Sequence, residues 1–195
     1  ILYRMWKLEE AISIGKLGIT LYNNCLKITH KTDRYALRNL SLLYTILSKI
    51  EITRGNIKSS MEFMSLADHC IQKALEISRG EDPYDLNNKG IALISKAHML
   101  IFENKTDQAI ELLNVAIELF DRSLEVSKNS DRWAKRYKAY ALWLLGRCYL
   151  LQKNIDRAKV YLSEALKNAD LSELLEEEDL EEAEEEALAL EDVGG

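Results

Sequence analysis

The chain repeats itself with a period of 49 residues. The run Cys25-Leu26-Lys27-Ile28-Thr29 aligns with Ala74-Leu75-Glu76-Ile77-Ser78 one period on, and with Ser123-Leu124-Glu125-Val126-Ser127 two periods on. Small residues fill three more columns: Ser48, Ala97 and Gly146; Ala11, Ser60, Ala109 and Ala158; Gly18, Ala67, Ala116 and Ala165. All eleven are Ala, Ser or Gly, where composition alone would give about two. A period of this length is one supersecondary unit that cannot bury its apolar side alone, so neighbouring copies must stack to make a core.

Each copy reads as helical. One proline and eight glycines leave little turn chemistry for a sandwich or barrel, and helix formers dominate the apolar and charged residues alike. Asp33, Asp82 and Asp131 share a column, followed by Arg34, Pro83 and Arg132; aspartate caps free helix amides, and proline suits the next position. One helix of each pair therefore starts near Asp33, Asp82 or Asp131. Its partner spans Ile57 to Ser78, then Asp107 to Ser127, then Asp156 onward. Tyr35, Tyr84 and Trp133, beside the caps, are expected to anchor repeat packing. A first partial copy, Leu8 to Thr29, lacks a complete helix before it, which predicts a bare apolar face there and a natural protein that continues upstream.

The stretch Leu142, Leu145, Gly146, Tyr149, then Ala158, Leu162 and Ala165, resembles the tetratricopeptide (TPR) repeat. One period back the same register holds Leu93, Ala97, Leu100, Ala109, Leu113 and Ala116, and two periods back Tyr44, Leu47, Ser48, Ser60, Met64 and Ala67. A standard TPR unit has about 34 residues, so this one is longer by about four helical turns shared between its two helices. The resemblance implies an all-α fold, a right-handed α-solenoid of antiparallel helix pairs over residues 1–175, with small residues where helices A and B cross. Residues 176–195 are then an acidic tail or capping helix. It also implies a non-enzymatic scaffold or adaptor whose A helices line a concave face that docks a partner protein or peptide. The groove positions are Lys49, His98 and Arg147, potentially basic throughout, with Thr45, Ile94 and Trp143 one turn earlier. Leu42, Ile91 and Tyr140, and Ile52, Ile101 and Leu150, flank them. Such a strip suits a peptide with apolar side chains and some carboxylates. The TPR subtype that clamps a C-terminal carboxylate needs Lys and Asn at set positions, which Thr45, Ile94, Trp143, Lys49, His98 and Arg147 do not supply.

Charge divides the chain. Twelve carboxylates lie between Glu173 and Asp192, and no Lys or Arg follows Lys167. Setting those twelve aside leaves 20 acidic residues against 26 basic ones, so residues 1–172 carry a net +6 and the tail −12. The alternative function is accordingly an acidic-tailed chaperone or regulator of a basic, histone-like protein. Leu171, Leu174 and Leu175 are expected to extend the last helix, and Leu180, Ala183, Ala187 and Leu190 recur at helical spacing. That predicts a short helix from about Asp179 to Leu190, capping the solenoid end or lying in the basic groove.

Catalytic constellations do not emerge. His30, His69 and His98 fall on different repeat positions without ligand spacing, and neither a phosphate loop, an HExxH nor a CxxC pair occurs, so no metal and no cofactor is expected. Cys25, Cys70 and Cys148 read as reduced, helix-buried thiols. Arg132-Trp133-Ala134-Lys135-Arg136-Tyr137-Lys138 mixes four cations with two aromatics, a weak nucleic-acid signal. Without a membrane-length apolar run or a signal-peptide layout, the expected location is intracellular, cytosol or nucleus.

Overall fold

A computed structural model describes residues 2–30 and 32–168. Among these residues every regular element is an α-helix: α1 (Leu2–Ile28), α2 (Arg34–Thr53), α3 (Ile57–Ser78), α4 (Pro83–Phe102), α5 (Thr106–Val126), α6 (Arg132–Leu151) and α7 (Ile155–Asn168). Short turns reverse the chain between them, and α1 packs on α2, α2 on α3, α5 on α6 and α6 on α7. The chain divides into two compact units, Ile1–Ser95 and Lys96–Gly195, with α4 running through the boundary. No helix among the described residues is long and apolar enough to cross a membrane.

The A helices α2, α4 and α6 each begin one residue after a capping aspartate. Asp33 Oδ1 accepts from the Ala36 amide at 2.9 Å, Asp82 Oδ1 from Tyr84 and Asp85, and Asp131 Oδ1 from Trp133 and Ala134. The second carboxylate oxygen ties each cap to its surroundings, and its partner depends on the residue eight positions upstream. Cys25 Sγ donates to Asp33 at 3.2 Å and Ser123 Oγ to Asp131 at 3.1 Å. The matching residue in the middle copy is Ala74, which has no donor, and Asp82 is held by Arg34 at 2.8 Å instead. Amide and thiol donation to Asp33, the amide of Ala36 foremost, lowers its carboxyl pKa, while that same bond to Asp33 raises the Cys25 thiol.

Turn geometry follows the same period. Gly55, Asn104 and Lys153 adopt left-handed conformations with φ of 78°, 58° and 58°, and His30, Arg79 and Lys128 do so at 53°, 54° and 51°. After α2, α4 and α6 the amides of Asn56, Lys105 and Asn154 reach back five residues to the carbonyls of Glu51, Leu100 and Tyr149 at 2.8 to 2.9 Å. These bonds satisfy carbonyls that a helix end otherwise leaves open.

The small columns mark the helix crossings. In the first unit Ser48 and Ser60 are fully buried and share a hydroxyl hydrogen bond of 2.7 Å between α2 and α3. In the second, a Cβ on Gly146 would stand 2.5 Å from Leu162 Cγ, so α6 and α7 touch at a spacing only glycine permits. Ala67, Ala97, Ala109, Ala116, Ala158 and Ala165 are likewise buried. Ala11 departs from its column and is exposed, and Gly18 is half-buried. Both sit on α1, whose main packing among the described residues is on α2, through close approaches of Gly15 to Leu47 and Gly18 to Leu43. Its other side, with Ile14, Leu17 and Leu21, is bare.

The aromatic column corrects its expectation. Tyr35, Tyr84 and Trp133 are 58%, 62% and 53% exposed, so they do not anchor the packing. They carry arginines instead: Arg38 lies over both Tyr35 and Tyr84, and Arg136 over Trp133. Trp133 stacks on Tyr137, which stacks on Phe120, and Lys138 pairs with Asp121. Leu171, Leu174 and Leu175, the helix expected from Asp179 to Leu190, and the boundary at 175 lie outside the described residues.

Candidate functional site

The groove residues expected from the sequence separate by burial. Lys49, on α2 in the first unit, is exposed. Thr45 and Ile94 of the same unit are 2% and 1% exposed and present nothing to a partner. Thr45 also returns its hydroxyl to the Ser41 carbonyl one turn back. The reason is crowding: an A helix flanked by other helices keeps only a narrow strip of its surface outside, and the column one turn before Lys49 lies within the covered part.

His98, Tyr140, Trp143 and Arg147, all in the second unit, form one continuous array. Tyr140 Oη stands 3.2 Å from His98 Nε2, and their rings meet edge to face at 5.7 Å. The Tyr140 ring stacks on Trp143 at 5.6 Å, and the Arg147 guanidinium lies 5.0 Å over the Trp143 ring. Spacing explains the assembly, because residues 140, 143 and 147 follow steps of three and four along α6 and so share one side of it. A guanidinium over an indole contributes about 0.5–1 kcal/mol at an exposed site, and it also fixes the cation at the rim.

Below this array lies an open groove of about 450 Å³. Ile101 and Phe102 from the end of α4, and Leu144, Leu150 and Leu151 from α6, line it together with His98, Trp143 and Arg147. Phe102 and Leu151 stay exposed there, an unusual outlay of apolar surface. Although Trp143 is 97% covered, its indole N–H has no acceptor among the described residues. Cys148, the residue after Arg147 on α6, is buried, which pushes its thiol pKa up to about 11 and leaves it protonated at neutral pH.

Phe102 and Leu151 are the residues that sequence reasoning missed. They share a column with Thr53, at the last position of each A helix. A signal did exist: each is a large apolar residue directly before a polar turn, Glu103-Asn104-Lys105 or Gln152-Lys153-Asn154, where the chain must surface.

The groove sets the exposed apolar side chains of Phe102 and Leu151 beside the Arg147 guanidinium.

Residues 140–172 match the family model described as Tetratricopeptide repeat. The match begins at Tyr140 and covers the last three-fifths of α6, the turn and α7, so it contains the Gly146–Leu162 crossing and the α6 groove wall. No curated protein matches the chain. Repeats of this kind generally serve as protein-interaction scaffolds rather than catalysts. With its all-helical architecture, its paired antiparallel helices and its matching last repeat, the chain is a tetratricopeptide-like helical repeat protein.

Proposed function

We propose that the chain is an adaptor whose second unit docks a peptide or partner segment in the groove between the end of α4 and α6. The single observation that carries this reading is the array His98, Tyr140, Trp143 and Arg147 beside the exposed apolar side chains of Phe102 and Leu151. A ligand that fits it carries a large apolar residue and, within about one helical turn, a carboxylate for Arg147. Bound as a helix or as an extended strand, such a segment gains apolar burial at about 25 cal/mol per Å² and a charge-assisted hydrogen bond at the rim. Lys49 on α2 is a further exposed cation of the first unit, available to the same partner or to another.

A random peptide library displayed against the full chain tests this. Selected peptides should pair acidic with aromatic or long aliphatic residues, and Arg147→Glu should reduce their affinity at least tenfold while circular dichroism shows the helical fold retained. Selection of nothing, or of the same peptides by Arg147→Glu with equal affinity, refutes the reading. The competing role, chaperoning a basic protein through the tail, is favoured by the twelve carboxylates from Glu173 to Asp192. It predicts basic peptides in the same selection.

A further inference from the structure

We propose that the groove of the second unit is occupied by the chain's own acidic segment, Glu173 to Asp192, which docks in cis and must be displaced before another ligand can bind. This deepens the docking reading above and rests on it.

Complementarity is the first support. The segment carries twelve carboxylates and no cation, while the groove sets His98 and the Arg147 guanidinium beside its apolar floor. Trp143, which lines the groove, also has a buried indole N–H with no acceptor among the described residues. The second support is the apolar pattern. Leu180, Ala183, Ala187 and Leu190 follow steps of three, four and three, so a helical turn brings them to one side. Two leucines would straddle two alanines that let the backbone approach closely. From Leu180 to Leu190 is about 15 Å at helical rise, and from Trp143 to Leu151 on α6 is about 12 Å. Stripe and groove therefore match in length.

Reach is the third support. α7 runs back along α6, since Tyr149 stacks on Tyr161 and Gly146 meets Leu162, which brings the end of α7 level with the residues just before Trp143. The segment then has only to round α6, a helix about 10 Å across. The twelve residues from Asn168 to Leu180 span up to about 40 Å. Another landing place, the hollow on α7 lined by Lys159, Val160, Ser163, Glu164 and Lys167, has a single apolar side chain in its lining.

A tether this short holds the segment at an effective concentration on the order of 1 mM, so even a dissociation constant near 0.1 mM weakens competing ligands about tenfold. The probe is a fluorescein-labelled peptide of residues 173–192, titrated by anisotropy in about 0.1 M salt against three full-length chains. These are the wild type, the chain with Leu180→Ser and Leu190→Ser, and that double variant with Arg147→Glu added. The expected result is at least tenfold tighter binding to the double variant than to wild type, and loss of that gain with Arg147→Glu. If circular dichroism shows that Arg147→Glu disturbs the fold, Arg147→Gln takes its place and should lose at least threefold. Equal affinity for wild type and double variant overturns the proposal, as does binding indifferent to Arg147. A wild-type block that fades on dilution assigns the occupancy to a neighbouring copy and overturns docking in cis. Failure of the probe while library-selected peptides still depend on Arg147 removes self-docking and leaves the groove reading standing; failure of both removes both.

Discussion

Asp85 shows how a single side chain can work against the repeat that holds it. It shares a column with Ala36 and Ala134, and all three are buried. In Asp85 the small apolar side chain is replaced by a carboxylate with neither oxygen hydrogen-bonded, 3.8 Å from the Arg34 guanidinium. Burial raises its pKa above the ordinary carboxylate value. A raised acid pKa means that the folded state holds the proton longer than the unfolded one, so stability falls as pH rises from the unfolded value, about 3.9, through the folded one. Asp85→Ala should therefore stabilise the protein by on the order of 1 kcal/mol at pH 7, since Arg34 keeps Asp82 as its partner. The pH-dependent part of that gain should vanish below about pH 4. Urea melts at both pH values check it, and a loss of stability at pH 7 would mean that the Arg34 contact outweighs desolvation.

Helices and their turns were legible to different degrees. The starts of α2, α4 and α6 could be read because an aspartate cap leaves a chemical mark, and α3 begins and ends where periodicity put it. The left-handed turn residues could not be read, because His30, Arg79, Asn104, Lys128 and Lys153 are ordinary residues held at positive φ by the Schellman-type bonds around them. Gly55 and Gly80, at φ of 78° and 67°, announce their places. Lys153→Gly should accordingly relieve a backbone that lysine disfavours and stabilise by up to about 1 kcal/mol, read as a rise in melting temperature. The reverse holds at the crossing of α6 and α7. There Gly146→Ala gains about 1 kcal/mol of helix propensity, but its methyl meets buried Leu162, where overpacking costs about 1–3 kcal/mol. A net destabilisation is expected, and calorimetry that finds a higher melting temperature would mean that Leu162 can move aside. Thr45 and Ile94 show the limit of the approach to the site. Periodicity put them on the same side of their helices as Lys49 and His98, but exposure depends on the helices packed alongside, which a column of residues does not encode.

For the molecule as a whole, the recurrence of both left-handed turns in fixed columns makes 49 residues a frame for length change, much as three nucleotides frame a gene. Removing residues 80–128 joins Arg79 to Asn129 and keeps the turn, the Asp131 cap and every crossing downstream in phase. The cap then follows Ala74 instead of Ser123, and Arg34 stands as it did toward Asp82, ready to supply the missing donor. Such a shortened chain should remain helical and melt cooperatively in circular dichroism. A cut of about 34 residues, the usual repeat length, should not, because it would leave a turn's φ > 0 position in the middle of a helix and a capping aspartate with no helix start beside it. A change in length by whole frames thus keeps every turn and cap in phase, whereas a change of any other size is expected to be tolerated only within a turn.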